Sequence, residues 1–183
     1  MKSEHLLART LKEMMATQSL DSISVIEISK RCHLSRKTFY YHYHDVYDLL
    51  TQVFLDEKIP GSNETTNVKE LVDLVWKYYE DNKAFLDATI QSAGKDLLSE
   101  FIYNIFYTSS LRFLDKYDDC KRLHMNAKKA IARFYASGYS YSIMYYLSNY
   151  KTKSYKGLCN CVFFINNENV EKTIEHAIAM EEI

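Results

Sequence analysis

A lone proline, Pro60, and four glycines are the only strong helix breakers in 183 residues. Proline removes a backbone donor and clashes with the preceding turn, and glycine raises the entropic cost of ordering. A chain this poor in both has little to interrupt a helix. Apolar residues recur at helical spacing along nearly the whole length, which predicts an all-α fold of about nine helices. Pro60 stands in "KIPGSNETTN", the most loop-like stretch of the first half, and it divides an N-terminal segment, residues 1–58, from a larger one, residues 59–183.

The first segment reads as a three-helix head with a further helix leading out of it. Leu7, Leu11, Met14 and Met15 form one stripe of a first helix behind a Ser3 cap, and "LDS" breaks it. In "ISVIE", Ser24 is placed to cap the next helix, Glu27 to reach back to it, and Ile23 to staple to Ile28 across the cap. That helix buries Val25, Ile28 and Cys32 and ends near "RCHLS", where Leu34 plugs the turn and Ser35 is placed to cap another helix. Two helices joined by a turn of three to four residues make the helix-turn-helix layout. Val46, Leu49, Leu50, Val53 and Phe54 then follow at amphipathic spacing behind an Asp45 cap.

A net charge of −1 gives the whole chain no pull toward a polyanion. The average conceals a local imbalance. Between Glu27 and Asp45 there is no acid, while Lys30, Arg31, Arg36 and Lys37 fall there together with His33, His42 and His44. Such a stripe attracts anions over about 10 Å at moderate salt. A charge run by itself most often marks a solvated face, so this one gains meaning from its place on a helix-turn-helix.

A helix opened by Ser35 turns free N–H groups and its positive end outward, where phosphate can meet them. Arg36, Lys37 and Thr38 occupy the first turn, the part of a recognition helix that reaches base edges: Arg and Lys donate to guanine, and the Thr methyl touches thymine. Phe39 and Tyr43 share a core-facing side with Leu34 and Leu49. Tyr40, Tyr41, His42 and His44 cannot all share that side, and their hydroxyl and ring N–H groups suit phosphate oxygens. His42 and His44 diverge by about 200° on a helix, so the pair chelates a metal only on extended backbone, and no metal is expected.

The stretch "ISVIEISKRCHLSRKTFYYHYHDVYDLL" resembles the DNA-binding signature of the tetracycline-repressor (TetR/AcrR) family of one-component regulators, over roughly residues 5–55. A second stretch, "RFYASGYSYSIMYYL", residues 133–147, is similar to a late helix in a subgroup that includes regulators of dihydroxyacetone kinase operons. The resemblance implies an all-α homodimer with a three-helix DNA-binding head and a larger bundle that dimerises and often holds a small effector. Carried over by position, Ser24, Arg36, Lys37, Thr38, Tyr40, Tyr41, His42 and His44 match positions that meet DNA in relatives, with Ser35 as the cap beside them. Two positions depart from the pattern. His33 stands where Gly is usual, which requires a left-handed turn from a side chain that tolerates it better than most. Val46 stands where a phosphate-contacting Lys is usual, which removes one backbone contact.

Beyond Pro60, helices are expected at about 67–81, 83–92, 95–115, 127–149 and 168–181, with Asn82 as a cap and Gly94 as a stop. The third and fourth are apolar on more than one face, which suggests burial on two sides. Residues 151–166 fit loop, helical turn or extended chain equally. Trp76, Tyr79, Phe101, Phe106, Phe134 and Tyr141 lie on helices that, by the resemblance, surround an effector cavity; aromatic stripes at this spacing are also ordinary core. Ala132, Ala136 and Ser140 make a small-residue face that, with Val170, Ile174, Ala177 and Ile178, suits a dimer bundle or close packing within the chain.

Apolar residues make up 47% and charged residues 26%, a folded-protein composition. No signal peptide and no membrane-length apolar run stands out, and four cysteines make no disulfide framework, so the expected setting is a reducing cytoplasm. Cys159 and Cys161 with Cys120 and His124 lack a matched ligand pair and read as buried thiols rather than a metal site. No phosphate loop, nucleophile elbow or carboxylate pair marks a catalyst, and no cofactor is expected. The expected partners are double-stranded DNA, a second copy of the chain and a small effector, in a TetR-type repressor bound to a palindromic operator. The alternative is an adaptor of the same fold acting through a protein partner, favoured by Val46 and by eight cations against eight acids in residues 1–58.

Overall fold

The computed structural model describes residues 3–117 and 123–163, together with Lys172 and Glu175. The described residues hold nine α-helices and no strand: α1 Ser3–Met15, α2 Val25–Arg31, α3 Arg36–His42, α4 Val46–Asp56, α5 Val68–Asp81, α6 Lys83–Ile90, α7 Lys95–Tyr117, α8 Met125–Asn149 and α9 Tyr155–Val162. A 3-10 turn at Leu20–Ser22 makes the break expected at "LDS". Of the helix expected at 168–181 only Lys172 and Glu175 are described; Val170, Ile174, Ala177 and Ile178 lie outside the described residues, as does Cys120. The fold class is all-α.

Helix starts follow local chemistry. The hydroxyl of Ser24 accepts the Glu27 N–H, that of Ser35 accepts the Thr38 N–H, and the Asp45 carboxylate accepts the Asp48 N–H. Each satisfies a donor that the first turn leaves open. Ahead of α5, Asn67 accepts the Glu70 N–H at 3.0 Å while Glu70 accepts the Thr66 N–H at 2.7 Å, a capping pair that holds that carboxyl below its ordinary range. Asn82 departs from expectation. Its side-chain amide donates to the Tyr78 carbonyl at 3.0 Å and so finishes α5 instead of capping α6.

The chain forms two compact units. One joins the residues up to Ile59 with Lys77–Phe101; the other joins Pro60–Trp76 with the described residues from Ile102 onward. In the first, α1 packs against α2, α3, α4 and α6, with Leu7, Leu11, Met14, Ile28, Phe39, Leu49 and Leu50 at its fully buried centre. Phe54 stacks on Phe85 at 5.7 Å and meets Phe101 at 5.6 Å. Gly94 is no helix stop: α6 ends four residues before it, and a Cβ there would lie 2.6 Å from Leu50 Cδ2. The glycine lets the chain approach α4 closely.

In the second unit α9 packs on α8. The Tyr146 hydroxyl accepts the Ser154 N–H at 2.9 Å and donates to the Ser154 carbonyl at 3.0 Å, and the absent side chain of Gly157 leaves room for it. Arg112 gathers the loop after Pro60: its Nη2 donates to the Ser62 and Thr65 carbonyls, each at 3.0 Å, and to the Thr65 hydroxyl at 2.9 Å. Ala132, Ala136 and Ser140 are buried within the chain, so the small-residue face serves packing inside it. The rest of α8 departs from expectation. One broad face is buried, while Phe134, Tyr141 and Tyr145 stand in solvent.

Candidate nucleic-acid interface

The turn between α2 and α3 is set by backbone geometry at His33. The His33 N–H bonds the Lys30 carbonyl at 3.2 Å and the Leu34 N–H bonds the Ser29 carbonyl at 2.9 Å, a Schellman pair that needs a left-handed residue between them. His33 supplies it with φ of 53°. The buried Cys32 thiol donates to the Thr10 hydroxyl at 3.2 Å, tying the turn to α1.

α3 is seated by a single ring. Phe39 is fully buried, with Tyr43 beside it at 5.8 Å, and burial pushes the Tyr43 hydroxyl above its ordinary range. The opposite side is open. Arg36 and Lys37 are exposed, and one turn on Tyr40 and Tyr41 extend the same strip, Tyr41 with 83% of its surface free. Among the described residues none of Lys30, Arg31, Arg36 and Lys37 forms an ion pair. Three of the acids near by in sequence are engaged elsewhere: Asp45 caps α4, Asp48 accepts the His44 N–H at 2.9 Å, and Asp21 accepts the Tyr47 hydroxyl. That last bond raises the Tyr47 pKa.

The remaining residues of the predicted set divide. Ser24 and His44 are exposed, as is Ser35. Thr38 is half-buried, its hydroxyl 2.9 Å from that of Ser35. His42 is the exception: its Nε2 lies 2.8 Å from the Ser3 hydroxyl and its Nδ1 3.4 Å from Glu4 Oε1. It ties the end of α3 to the start of α1 instead of standing free. Val46 is only 8% exposed at the first position of α4, so nothing at that site reaches outward. The partners of His42 lie 39 and 38 residues away, and no local pattern in the sequence announces them.

Of the six aromatic positions expected around an effector, four are buried and two are exposed. Tyr79 and Phe101 are buried in the first unit, and Trp76 and Phe106 in the second. Phe134 and Tyr141 are 72% and 71% exposed. The second unit does contain an apolar cavity of about 30 Å³ lined by Val68, Ser110, Phe113, Leu114, Ile131, Tyr135 and Tyr139. It has room for one or two water-sized spheres. Among the described residues no three His, Cys, Asp or Glu side chains come together as a metal would require, and no helix is long and apolar enough to cross a membrane.

Comparison with known proteins agrees with this architecture. A TetR-type family profile described as "Transcriptional regulator C-terminal region" matches residues 66–163, more than half of the chain. No curated protein sequence matches. Among solved structures, the "Dihydroxyacetone kinase operon activator DhaS" superposes with a TM-score of 0.61 at 15% identity, covering 97% of this chain and 94% of its own, a likeness of fold. The helix-turn-helix head, the all-α frame and the matched C-terminal region together place the chain in the TetR family of transcriptional regulators.

Proposed function

We propose that the protein is a homodimeric, operator-binding repressor whose two heads enter successive major grooves about 34 Å apart. The observation that carries this reading is the strip of Arg36, Lys37, Tyr40 and Tyr41, exposed on a firmly seated helix, its cations forming no ion pair among the described residues. In this reading Arg36 and Lys37 meet base edges or phosphates, Tyr40, Tyr41 and His44 hold the backbone, and Ser24 and Ser35 lie beside it. Thr38 offers its methyl, and His42 positions α3 through Ser3 and Glu4. Residues 1–58 act as the DNA-binding domain and residues 59–183 as the dimerising one.

A gel-shift titration on the DNA upstream of the protein's own gene tests the reading. Lys37→Ala lowers affinity and shrinks the salt slope by about one if Lys37 meets phosphate. It relaxes one base preference by about 1–3 kcal/mol if Lys37 meets a base. No change in either measure overturns the assignment of α3. A reporter on the same DNA reads the sign: expression rises on loss of a repressor and falls on loss of an activator. An effector fits this reading where the walls of the small apolar cavity part to admit it.

A second reading, a TetR-fold adaptor acting through a protein partner, is favoured by the burial of Val46 and by the balance of eight cations and eight acids in residues 1–58. Failure of the pure protein to shift any upstream DNA specifically, alone or with cell extract as a ligand source, selects it.

A further inference from the structure

A groove of about 390 Å³ lies between α1 and α4 within the first unit, walled by Glu4 and Ala8 from one helix and by Val53 and Asp56 from the other. Tyr43, the residue that ends α3, also lines it. The Tyr43 side chain is only 6% exposed, and its hydroxyl has no hydrogen bond among the described residues. A buried hydroxyl left unpaired costs free energy that a bound partner recovers.

The charges around that hydroxyl are unevenly matched. Four carboxylates line the groove against the cations Arg9, Lys12 and Lys58, a formal balance of −1 with His5 counted neutral. Glu13 pairs with Arg9 at 3.2 Å and Glu57 with Lys12 at 2.9 Å, so Glu4 and Asp56 carry the excess. Glu4 Oε1 lies 3.4 Å from His42 Nδ1, and Asp56 Oδ1 accepts the Gln52 amide at 3.0 Å. The second oxygen of each has no bond among the described residues. Burial, then Glu4, Asp56 and Asp48, raises the Tyr43 pKa, which sets both carboxylates near the hydroxyl and keeps it protonated.

We propose that this groove binds a small primary alkylammonium ion. Its three N–H donors meet the open oxygens of Glu4 and Asp56 and the Tyr43 hydroxyl oxygen, while its alkyl chain lies along Ala8 and Val53. The groove has the volume of a small-molecule site, far above that of the apolar cavity in the second unit. A bare metal ion fits less well, because among the described residues no three His, Cys, Asp or Glu side chains come together. The negative balance disfavours an anion. Once bound, the ion bridges α1, the end of α3 and α4. The site does not depend on whether α3 meets DNA, since it uses none of Arg36, Lys37, Tyr40 and Tyr41.

Titration of the full-length protein with n-butylammonium chloride, followed by two-dimensional 1H–15N NMR against sodium chloride at equal ionic strength, tests the proposal. Amide shifts should cluster in α1, at Tyr43 and in α4, and should saturate. Tyr43→Phe keeps the buried ring and removes only the unpaired hydroxyl, so the fold is retained while affinity for the ion should fall about tenfold. Asp56→Asn should lose about as much, whereas Glu64→Gln, at an exposed acid outside the groove, should bind as the wild type does. Shifts no larger than those from sodium chloride overturn the site, as does a Tyr43→Phe variant that binds as tightly as the wild type. Equal weakening by Glu64→Gln and Asp56→Asn also overturns it, as general attraction to acids. Tighter binding of Nα-acetyl-lysine methylamide than of n-butylammonium overturns the free amine in favour of a lysine carried by a protein.

Discussion

Replacing His33 should show that the helix-turn-helix is held by backbone geometry more than by this side chain. At φ of 53° an ordinary L residue pays about 1–2 kcal/mol, and His belongs to the more tolerant types, near the lower figure. Glycine removes that strain but loses about 0.5–1 kcal/mol through the greater freedom of its unfolded chain. His33→Gly should therefore be neutral or stabilising by up to about 0.5 kcal/mol. A β-branched residue suffers most in this region, so His33→Val should lose on the order of 1.5 kcal/mol. The spread between the two variants, about 2 kcal/mol, corresponds to roughly 4–8 °C in melting temperature for a chain of this size. Thermal melts of wild type, His33→Gly, His33→Asn and His33→Val should rank Gly first and Val last. His33→Gly falling more than 1 kcal/mol below wild type, a threshold set by the αL cost itself, would refute the left-handed turn as the source of the ranking.

Other expectations separate stability from function. Ser35→Ala should cost about 0.5–2 kcal/mol through the lost cap, whereas Ser35→Asp keeps the cap but sets a carboxylate beside Arg36; melts should then show only Ala damaged, and gel shifts both. Gly157→Ala drives a methyl to within 2.3 Å of the Tyr146 hydroxyl, which is fixed by two bonds to Ser154, and should lose about 1–3 kcal/mol in a urea melt. Val46→Lys restores a cation whose stem can run along the surface; if the head binds DNA, the salt slope of the shift should steepen by about one. The Tyr78 hydroxyl is buried without a hydrogen bond of good geometry among the described residues, and burial first, then the Glu57 carboxylate, pushes its pKa well above the ordinary value. The raised value means that its share of stability is complete below about pH 10 and is lost as pH climbs past it. Tyr78→Phe should gain about 1 kcal/mol at neutral pH and lack that part of the alkaline loss.

What the sequence made legible was mostly local. Ser24, Ser35 and Asp45 cap helices because each acts on an N–H three residues away, and the left-handed turn at His33 is implied by the resemblance, which puts Gly at that position. Phe39 and Tyr43 face inward as their spacing requires. Periodicity says which residues share a side but not what lies beyond it. Phe134 and Tyr141 therefore fit an enclosed cavity as well as the open surface they occupy, and Ala132, Ala136 and Ser140 fit a dimer as well as the interior that holds them. The segment of α9 fits helical turn, loop and extended chain alike because eight residues with a glycine and two cysteines carry little helical signal; its start is fixed by Ser154, and its fit against Tyr146 depends on tertiary structure. The link from His42 to Ser3 and Glu4 is likewise a product of folding.

The clasp of Arg112 on the loop after Pro60 alters how that loop should behave under a protease. Its composition invites cleavage, yet two of its carbonyls and a threonine hydroxyl are bound by one guanidinium on α7. A protease needs an extended stretch of backbone, so cutting must wait until those bonds open together. Residues 62–65 should therefore resist limited digestion, and Arg112→Ala should turn them into the first site of attack.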